Sequence, residues 1–474
     1  MINRNTKIVC TLGPAINNEE MLIKMFNAGM NVARLNFSHN TPETGVKLVK
    51  TIKNAATKAK KNIAILLDTK GPEIRTGIFE NGGVVYEAGD IVKLVKEEVI
   101  GNKERFYITC KELFDDVVVG SSLLVDDGKI TLKVINVSEN EITCEFINGG
   151  LIKNQKGINA PGTNLSMPFV SEKDYCDIKF CCEQGLDAIA LSFVRTPEDV
   201  LEVKKLVATL GRPNIEIISK IECKQAIDNL EEILKVSDGI MVARGDLGVE
   251  VAPELVPLYQ KKMIKLANQY GKVVITATHM LESMIENPRP TRAEASDVAN
   301  AILDGTDAIM LSGESAIGAY PLESVEMMDR IALSSEKMIN YQKRLGEEMI
   351  ENFHTQNDAI SICACECAVS IPDIVAIFAF TETGGTAKRI CRYRPSVPLI
   401  ACTDSIDTCR RLSYYCGIFP TIAKYVDDIS MCDDIANEVA ISMDIEDNSN
   451  IIVVGGFGQK HGVTNTIRII EVEH

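Results

Sequence analysis

Between positions 8 and 313 the apolar residues gather into eight short runs: 8–12, 32–38, 63–69, 188–194, 215–221, 239–244, 273–278 and 308–312. None alternates strictly, which predicts strands covered on both faces. Segments of helical period lie between most of them, among them 18–28, 172–184, 197–210 and 257–270. Asn17, Thr41, Ser171 and Thr196 stand where N-caps belong, and Gly29, Gly185 and Gly211 where helices should stop. Eight strand–helix units close naturally into a (β/α)8 TIM barrel, with an open doubly wound sheet as the alternative.

The polar residues favour the barrel. Arg34, Asn36 and Ser38 share one face of the second strand, and Asp68, Thr69 and Lys70 end the third. Lys220 and Glu222 end the fifth, Arg244, Gly245 and Asp246 the sixth, Thr276, Thr278 and His279 the seventh, Ser312 and Glu314 the eighth. Polar groups at the carboxyl ends of so many strands meet in one place only if the strands form a ring, and that end is where such barrels carry chemistry.

The period breaks once, after Pro72, and the next barrel strand waits until Ala188. A gap of that length predicts an inserted unit. Its texture is short β-rich runs at 91–96, 122–125, 129–137 and 141–146, with a hairpin turn at Val125, Asp126, Asp127 and Gly128. Residues 73–164 therefore read as a small β-barrel or sandwich over the barrel mouth, either a lid or a passive decoration. From about Glu336 the pattern changes again: a helix at 357–370, strands at 374–380, 399–402, 451–455 and 466–472, and a loop over 381–386. The organisation expected is a catalytic barrel of 1–72 and 165–342, an insert of 73–164, and a C-terminal α/β domain of 343–474.

Composition narrows the partners. The chain has 474 residues, 50 basic and 66 acidic, for a net charge of −16. Without a basic stripe, nucleic acid and anionic membranes are poor partners. No signal peptide or membrane span is read, and fifteen cysteines suggest a reducing, cytoplasmic setting. Cys363, Cys365 and Cys367 lack metal-site spacing and fit helix packing better; His39, His279, His354, His461 and His474 form no metal motif.

At the mouth, a lysine and a carboxylate two residues apart on one strand end, Lys220 and Glu222, need a reason, because burying charge is costly unless it is paired or metal-bound. A structural ion pair is one reason; an active site is the other. Glu222 and Asp246 form a pair of oxygen ligands suited to Mg²⁺ or Mn²⁺. Arg34, Arg75 and Lys220 supply the positive charge that a transferring phosphoryl group demands. Asn36, Ser38, Asp68 and Thr69 make a second oxygen-rich cluster, suited to a monovalent ion or to ordinary hydrogen bonding at strand ends.

Six stretches carry a resemblance: NVARLNFSH at 31–39, LDTKGPEIRTG at 67–77, ISKIE at 218–222, MVARGDLGVE at 241–250, TATHMLE at 276–282 and PTRAE at 290–294. Through them the chain resembles the pyruvate kinase family over essentially its whole length. The resemblance implies phosphoryl transfer from phosphoenolpyruvate to ADP, an inserted lid, a C-terminal effector domain and a homotetramer. It implies that Glu222 and Asp246 hold Mg²⁺ or Mn²⁺, and that Asn36, Ser38, Asp68 and Thr69 hold K⁺. It implies that Lys220 stabilises the phosphoryl group and enolate, and that Ala243, Arg244, Gly245 and Asp246, through their backbone, cradle the substrate carboxylate with the Thr278 hydroxyl. Arg34, Asn36, His39, Arg75 and Lys156 match nucleotide-binding positions. Thr381, Thr383, Gly384, Gly385 and Thr386 match a loop for a phosphorylated allosteric effector. Glu73 matches the position whose acid goes with potassium dependence. Departures are few: His279 stands where the family commonly has glutamine, Cys223 where a small polar or amide residue is usual, and Ser315 for a frequent threonine. The loop 457–463 is short for sugar-bisphosphate control, which leaves the effector open.

Overall fold

The computed structural model describes residues 4–351, 355–424, 428–456 and 462–473. Eight parallel strands close into one barrel: β1 (Lys7–Thr11), β2 (Val32–Asn36), β3 (Ala64–Asp68), β4 (Ala188–Leu191), β5 (Glu216–Ile221), β6 (Gly239–Ala243), β7 (Val273–Ala277) and β8 (Ala308–Leu311). They follow one another in chain order around the ring, and β8 closes on β1 with Lys7 opposite Ala308. Every strand falls on a predicted run, with its ends moved by up to three residues; β1 begins one residue early, at Lys7. Among the trimmed residues, the polar Thr69, Arg244, Thr278 and Ser312 leave the ladder for the loops at the mouth.

The helix boundaries hold with two corrections. The N-cap of the first long helix, Glu19–Ala28, is Asn18 and not Asn17; its side chain accepts from the Met21 N–H at 2.9 Å. Helix Pro197–Thr209 is capped by Leu210, and Gly211 (φ 78°) follows as the turn. Thr41 and Ser171 cap as expected, each in a reciprocal box with the residue three positions on.

The interior of the barrel is filled by small and larger apolar side chains, among them Val9, Ala64, Ala190, Ile218, Met241 and Met310, all essentially inaccessible. This packing runs on without a break at the amino ends of the strands into Ile377, Ile390, Tyr393 and Tyr414 of the C-terminal unit. The barrel thus has one open end, where the strand carboxyl ends lie.

The insert folds on its own core around Phe106, Leu123, Leu132 and Phe146. Seven of its strands form one sheet, and the ends of the two edge strands, Ile74–Arg75 and Arg105–Tyr107, approach through an antiparallel bridge between Thr76 and Ile108. The sheet therefore curls on itself, and a two-stranded ribbon, Gly83–Tyr86 with Gly150–Lys153, accompanies it. Asp126 and Asp127, both at positive φ, turn the hairpin from Val125 to Ile130.

The C-terminal unit is a five-stranded sheet: β9 (Ile374–Phe380), β10 (Leu399–Thr403), β11 (Ile418–Ile422), β12 (Asn450–Gly455) and β13 (Thr466–Glu471), in the order β11-β10-β9-β12-β13. Strand β11 escapes the sequence reading because it holds Pro420. A proline is tolerated there because β11 is an edge strand, whose missing N–H faces no neighbour. Most of loop 457–463, with His354, His461 and His474, lies outside the described residues.

Candidate active site

At the open end of the barrel the last residue of β3, Asp68, is buried between two cations. Arg34 Nε donates to its Oδ2 at 2.6 Å, and Lys220 Nζ lies 3.2 Å from its Oδ1. Burial by itself would raise the Asp68 carboxyl; Arg34 and Lys220 outweigh it and hold the group below the usual aspartate range. Lys220 Nζ also donates to Ser192 Oγ at 2.7 Å and sits 2.8 Å from Glu222 Oε1. Its burial works against the charge, but Asp68 and Glu222 reverse that and hold the ammonium well above the ordinary lysine range. The site therefore keeps a desolvated cation at neutral pH. Arg34 is fixed further by Thr11 Oγ1, which accepts from Nη1 at 2.7 Å.

Thr11 and Ser192 are site residues that the sequence reading left out. Ser192 follows the last residue of β4, accepts from Lys220 and donates to the Thr69 carbonyl at 2.7 Å. The signal is available for both: they are polar residues within 8–12 and 188–194, the two apolar runs whose ends the sequence reading leaves without a polar residue.

Glu222 is fully buried, and its Oε2 accepts the Phe193 N–H at 2.7 Å. Its Oε1, although close to Lys220, has no hydrogen bond of acceptable geometry. Burial drives this carboxyl upward, opposed by Lys220 and reinforced by Asp246. A buried anionic oxygen without a donor, next to a second carboxylate in the first turn of helix Arg244–Glu250, is the donor set a hard divalent cation takes. Among the described residues no group of three or more such side chains converges. That fits an ion whose remaining ligands are substrate oxygens and water.

Asn36 and Asp68 are partners in the β2–β3 ladder, so the four residues of the second cluster come from neighbouring strand ends. The Asn36 side chain accepts the Ser38 N–H at 3.0 Å, and Thr69 Oγ1 accepts the Ser192 N–H at 3.1 Å. The single carboxylate is already shared by Arg34 and Lys220, which leaves too little negative charge for a second divalent ion. The oxygen-only set fits a monovalent one.

The backbone around this centre is strained in a consistent way. Phe193, Thr278 and His279 all lie at positive φ (55°, 67° and 53°), a region costly to side chains other than glycine. Two of them are held: Phe193 by its bond to Glu222, Thr278 by the Gly245 N–H that donates to its Oγ1 at 2.9 Å. The Arg244 guanidinium donates to the Thr278 carbonyl and to Asp297 at 2.6 Å. Arg244 thus contributes its backbone, not its charge, to the helix turn beside Thr278.

Two clefts open between insert and barrel. The larger, about 750 Å³, is lined by Asp246, Arg75, Lys156, Phe193 and Glu250 among others. The other, about 480 Å³, brings Ser38 and His39 opposite Arg75, Lys70 and Tyr107. Arg75 borders both; its Nε donates to Glu73 Oε2 at 2.8 Å. Lys156 pairs with Asp126 at 2.6 Å across the hairpin. Asn159 of the insert donates to Glu250 of the barrel at 3.0 Å, a direct bond across the cleft.

The C-terminal segment 381–386 is not all loop: helix Gly385–Arg392 begins inside it, capped by Gly384 at φ 94°. Thr381 Oγ1 accepts the Gly384 N–H at 3.0 Å, and the Thr386 hydroxyl meets that of Thr464 at 3.0 Å. Thr383 is exposed. These residues lie far along the chain from the barrel mouth, on the unit that closes the opposite end.

Comparison with known proteins agrees with this geometry. The family model described as pyruvate kinase, barrel domain, matches residues 3–325, and that described as pyruvate kinase, alpha/beta domain, matches 358–470. Pyruvate kinases of Bacillus licheniformis, Geobacillus stearothermophilus and Staphylococcus aureus are 47%, 44% and 46% identical, each over 99% of this chain and 80% of the relative. A crystal structure of a pyruvate kinase from Cryptosporidium parvum superposes with a TM-score of 0.95 at 38% identity, covering 99% of this chain and 96% of that one. With both family models matched and relatives this similar over their common length, the chain belongs to the pyruvate kinase family of enzymes.

Proposed function

We propose that this enzyme transfers the phosphoryl group of phosphoenolpyruvate to ADP, giving pyruvate and ATP, with Mg²⁺ or Mn²⁺ and K⁺ as cofactors. The observation that carries the reading is the desolvated Lys220 ammonium, pinned among Asp68, Ser192 and Glu222 with Arg34 beside it. The P–O bond to the enol oxygen breaks, a bond to the terminal oxygen of ADP forms, and the enolate left behind takes a proton at carbon. Arg34 and Lys220 face the charge on the moving phosphoryl group, and Lys220 the enolate oxygen. Backbone N–H groups of residues 243–246 and the Thr278 hydroxyl orient the substrate carboxylate. That orientation sets the face from which a proton arrives through water and the Thr278 hydroxyl.

Glu222 and Asp246 are the residues that would hold the divalent ion, which when bound neutralises charge on the enolate and phosphoryl oxygens. Asn36, Ser38, Asp68 and Thr69 would hold K⁺. Arg34, Arg75, His39, Asn36 and Lys156 are assigned to ADP. In the same reading 1–72 with 165–342 is the catalytic domain, 73–164 a lid, and 343–474 the domain of a phosphorylated effector, in a cytoplasmic homotetramer. The free state of all fifteen cysteines is compatible with that setting, and among the described residues no helix is long and apolar enough to cross a membrane.

The test is pyruvate release with and without ADP. Release that ignores ADP would favour a metal-dependent lyase acting on similar enolates. For the ion, Glu222→Gln should weaken Mn²⁺ binding measured by electron paramagnetic resonance without substrate; unchanged affinity moves the site elsewhere.

A further inference from the structure

The three strands that carry Asp68, Ser192 and Lys220 are also tied together at their opposite, amino ends. Asp187, one residue before β4, accepts the Ile65 N–H of β3 on its Oδ2 at 2.8 Å, and its carbonyl accepts the Glu216 N–H of β5 at 3.2 Å. Both acids are buried, Asp187 at 2% exposure and Glu216 at 5%. Among the described residues neither forms an ion pair with a barrel side chain; Lys53 and Lys272 of the barrel act on them only from farther off. Arg410, on helix Ile406–Leu412 of the C-terminal unit, donates from Nε to Asp187 Oδ1 at 3.0 Å. Lys388, on helix Gly385–Arg392, pairs with Glu216 Oε1, while the Tyr415 hydroxyl donates to Oε2 at 3.2 Å. The Lys388 ammonium also lies over the Tyr415 ring, 4.9 Å from its centre.

Buried carboxylates at strand bases are costly unless paired, and removing one partner leaves the other charge uncompensated. Barrel lysines contribute field at a distance, but the direct ion pairs come from two helices of another unit. Glu216 and Lys220 are four residues apart on one strand, roughly 13 Å at the usual rise. A strand hydrogen-bonded on both sides is stiff over that length. The spacing of Asp68, Ser192 and Lys220 at the mouth therefore inherits the spacing imposed at the base.

We propose that Lys388 and Arg410 are positioning residues for the reaction: through Glu216 and Asp187 the C-terminal unit fixes the relative placement of β3, β4 and β5, and with it the contacts of the Lys220 ammonium. The proposal rests on the reading of Lys220 as the reaction's cation. It gives helix Gly385–Arg392, whose first turn lies in the segment assigned to an effector, a direct mechanical connection to the reacting group.

The test compares Lys388→Met, Arg410→Met, the conservative Lys388→Arg, and the charge exchange Glu216→Lys with Lys388→Glu, all in the 474-residue chain and well below their thermal midpoints. A misplacement of about 1 Å can cost about a hundredfold in rate, so a partial shift should lower kcat about tenfold in each methionine variant. KM for phosphoenolpyruvate should change less than twofold. Lys388→Arg should recover most of the loss. In hydrogen–deuterium exchange the Phe193 N–H, which donates to Glu222 at the mouth, should lose protection along with the strand bases. A fall in thermal midpoint with kcat unchanged, or faster exchange confined to the bases, overturns the proposal. If the parent chain itself forms no pyruvate from ADP and phosphoenolpyruvate, the functional reading fails, while the exchange measurement still decides the mechanical link.

Discussion

Lys220 is the residue on which most of the site's charge converges. Its partners are two carboxylates and one hydroxyl, from three different strands, and no single contact explains why the ammonium stays charged. Lys220→Met should therefore leave substrate binding within a fewfold and remove turnover. One cation facing a developing oxyanion in a dry site contributes roughly 3–4 kcal/mol, about 10²–10³ in rate, and the phosphoryl charge adds to it. Single-turnover kinetics near the parent rate would refute its role. Glu73 raises a second point at this scale. Its carboxylate is bound by Arg75 at 2.8 Å and lies 3.6 Å from Lys70. Glu73→Lys should make the residual activity less dependent on K⁺, measured against a tetramethylammonium salt at equal ionic strength. It should also raise KM for ADP, because Arg75 loses its anchor. Equal rates with and without K⁺ in the parent enzyme would remove the potassium assignment.

Among the elements, helix Arg292–Asp304 shows how a local rule is put to use at a distance. Thr291 caps it, and Glu294 returns the bond, as the motif predicts. The same Glu294 carboxylate also accepts from the Ser283 N–H at 2.7 Å and the Ser283 hydroxyl at 2.5 Å, and so pins the loop that follows β7. Burial would raise this carboxyl, but the bonds from Ser283 and Thr291 outweigh it and hold it below the ordinary range. Its stabilisation is accordingly present above the ordinary value of about 4.3 and is lost as the pH falls through the lower folded value. Glu294→Ala should cost about 1–2 kcal/mol at pH 7. The gap in thermal midpoint between parent and variant should close as the pH is lowered from about 5 to about 3. A gap independent of pH would mean that the side chain acts by packing and not by charge.

At the scale of the molecule, one end of the barrel is open beneath the insert and the other is sealed by the C-terminal unit. Lys7 Nζ donates to the Ile418 carbonyl at 2.6 Å, and Arg394 pairs with Asp307 at 2.6 Å, so the seal is polar as well as apolar. A ligand on the C-terminal unit therefore has a packed, ion-paired surface through which to act on the strands. A phosphorylated metabolite that binds at Thr381–Gly384–Thr386 should shift the saturation curve for phosphoenolpyruvate. Thr386→Ala should abolish that shift and leave the basal rate nearly unchanged, because among the described residues the hydroxyl bonds to Thr464 alone. A shift that survives the substitution would separate the effector from this segment.

Much of this architecture is legible along the chain. The eight barrel strands, the break after Pro72 and the polar strand ends follow from local pattern, because buried parallel strands must be apolar while their carboxyl ends are free to be polar. Arg34, Asp68, Lys220, Glu222 and Asp246 could be named for the same reason. Tertiary structure alone decided which of them touch. That Asp68 is shared by Arg34 and Lys220, and that Ser192 and Thr11 complete the set, depends on the order in which the ring closes. The strained turns at Phe193, Thr278 and His279 were equally hidden, since nothing in their local sequence is a turn signal of the kind that puts Asp126 and Asp127 at positive φ. The pairing of Lys388 with Glu216, 172 positions apart, has no sequence signature at all. A charged residue in a strand-opening position looks like a solvated end until another unit covers it, and only the packed molecule shows that one does.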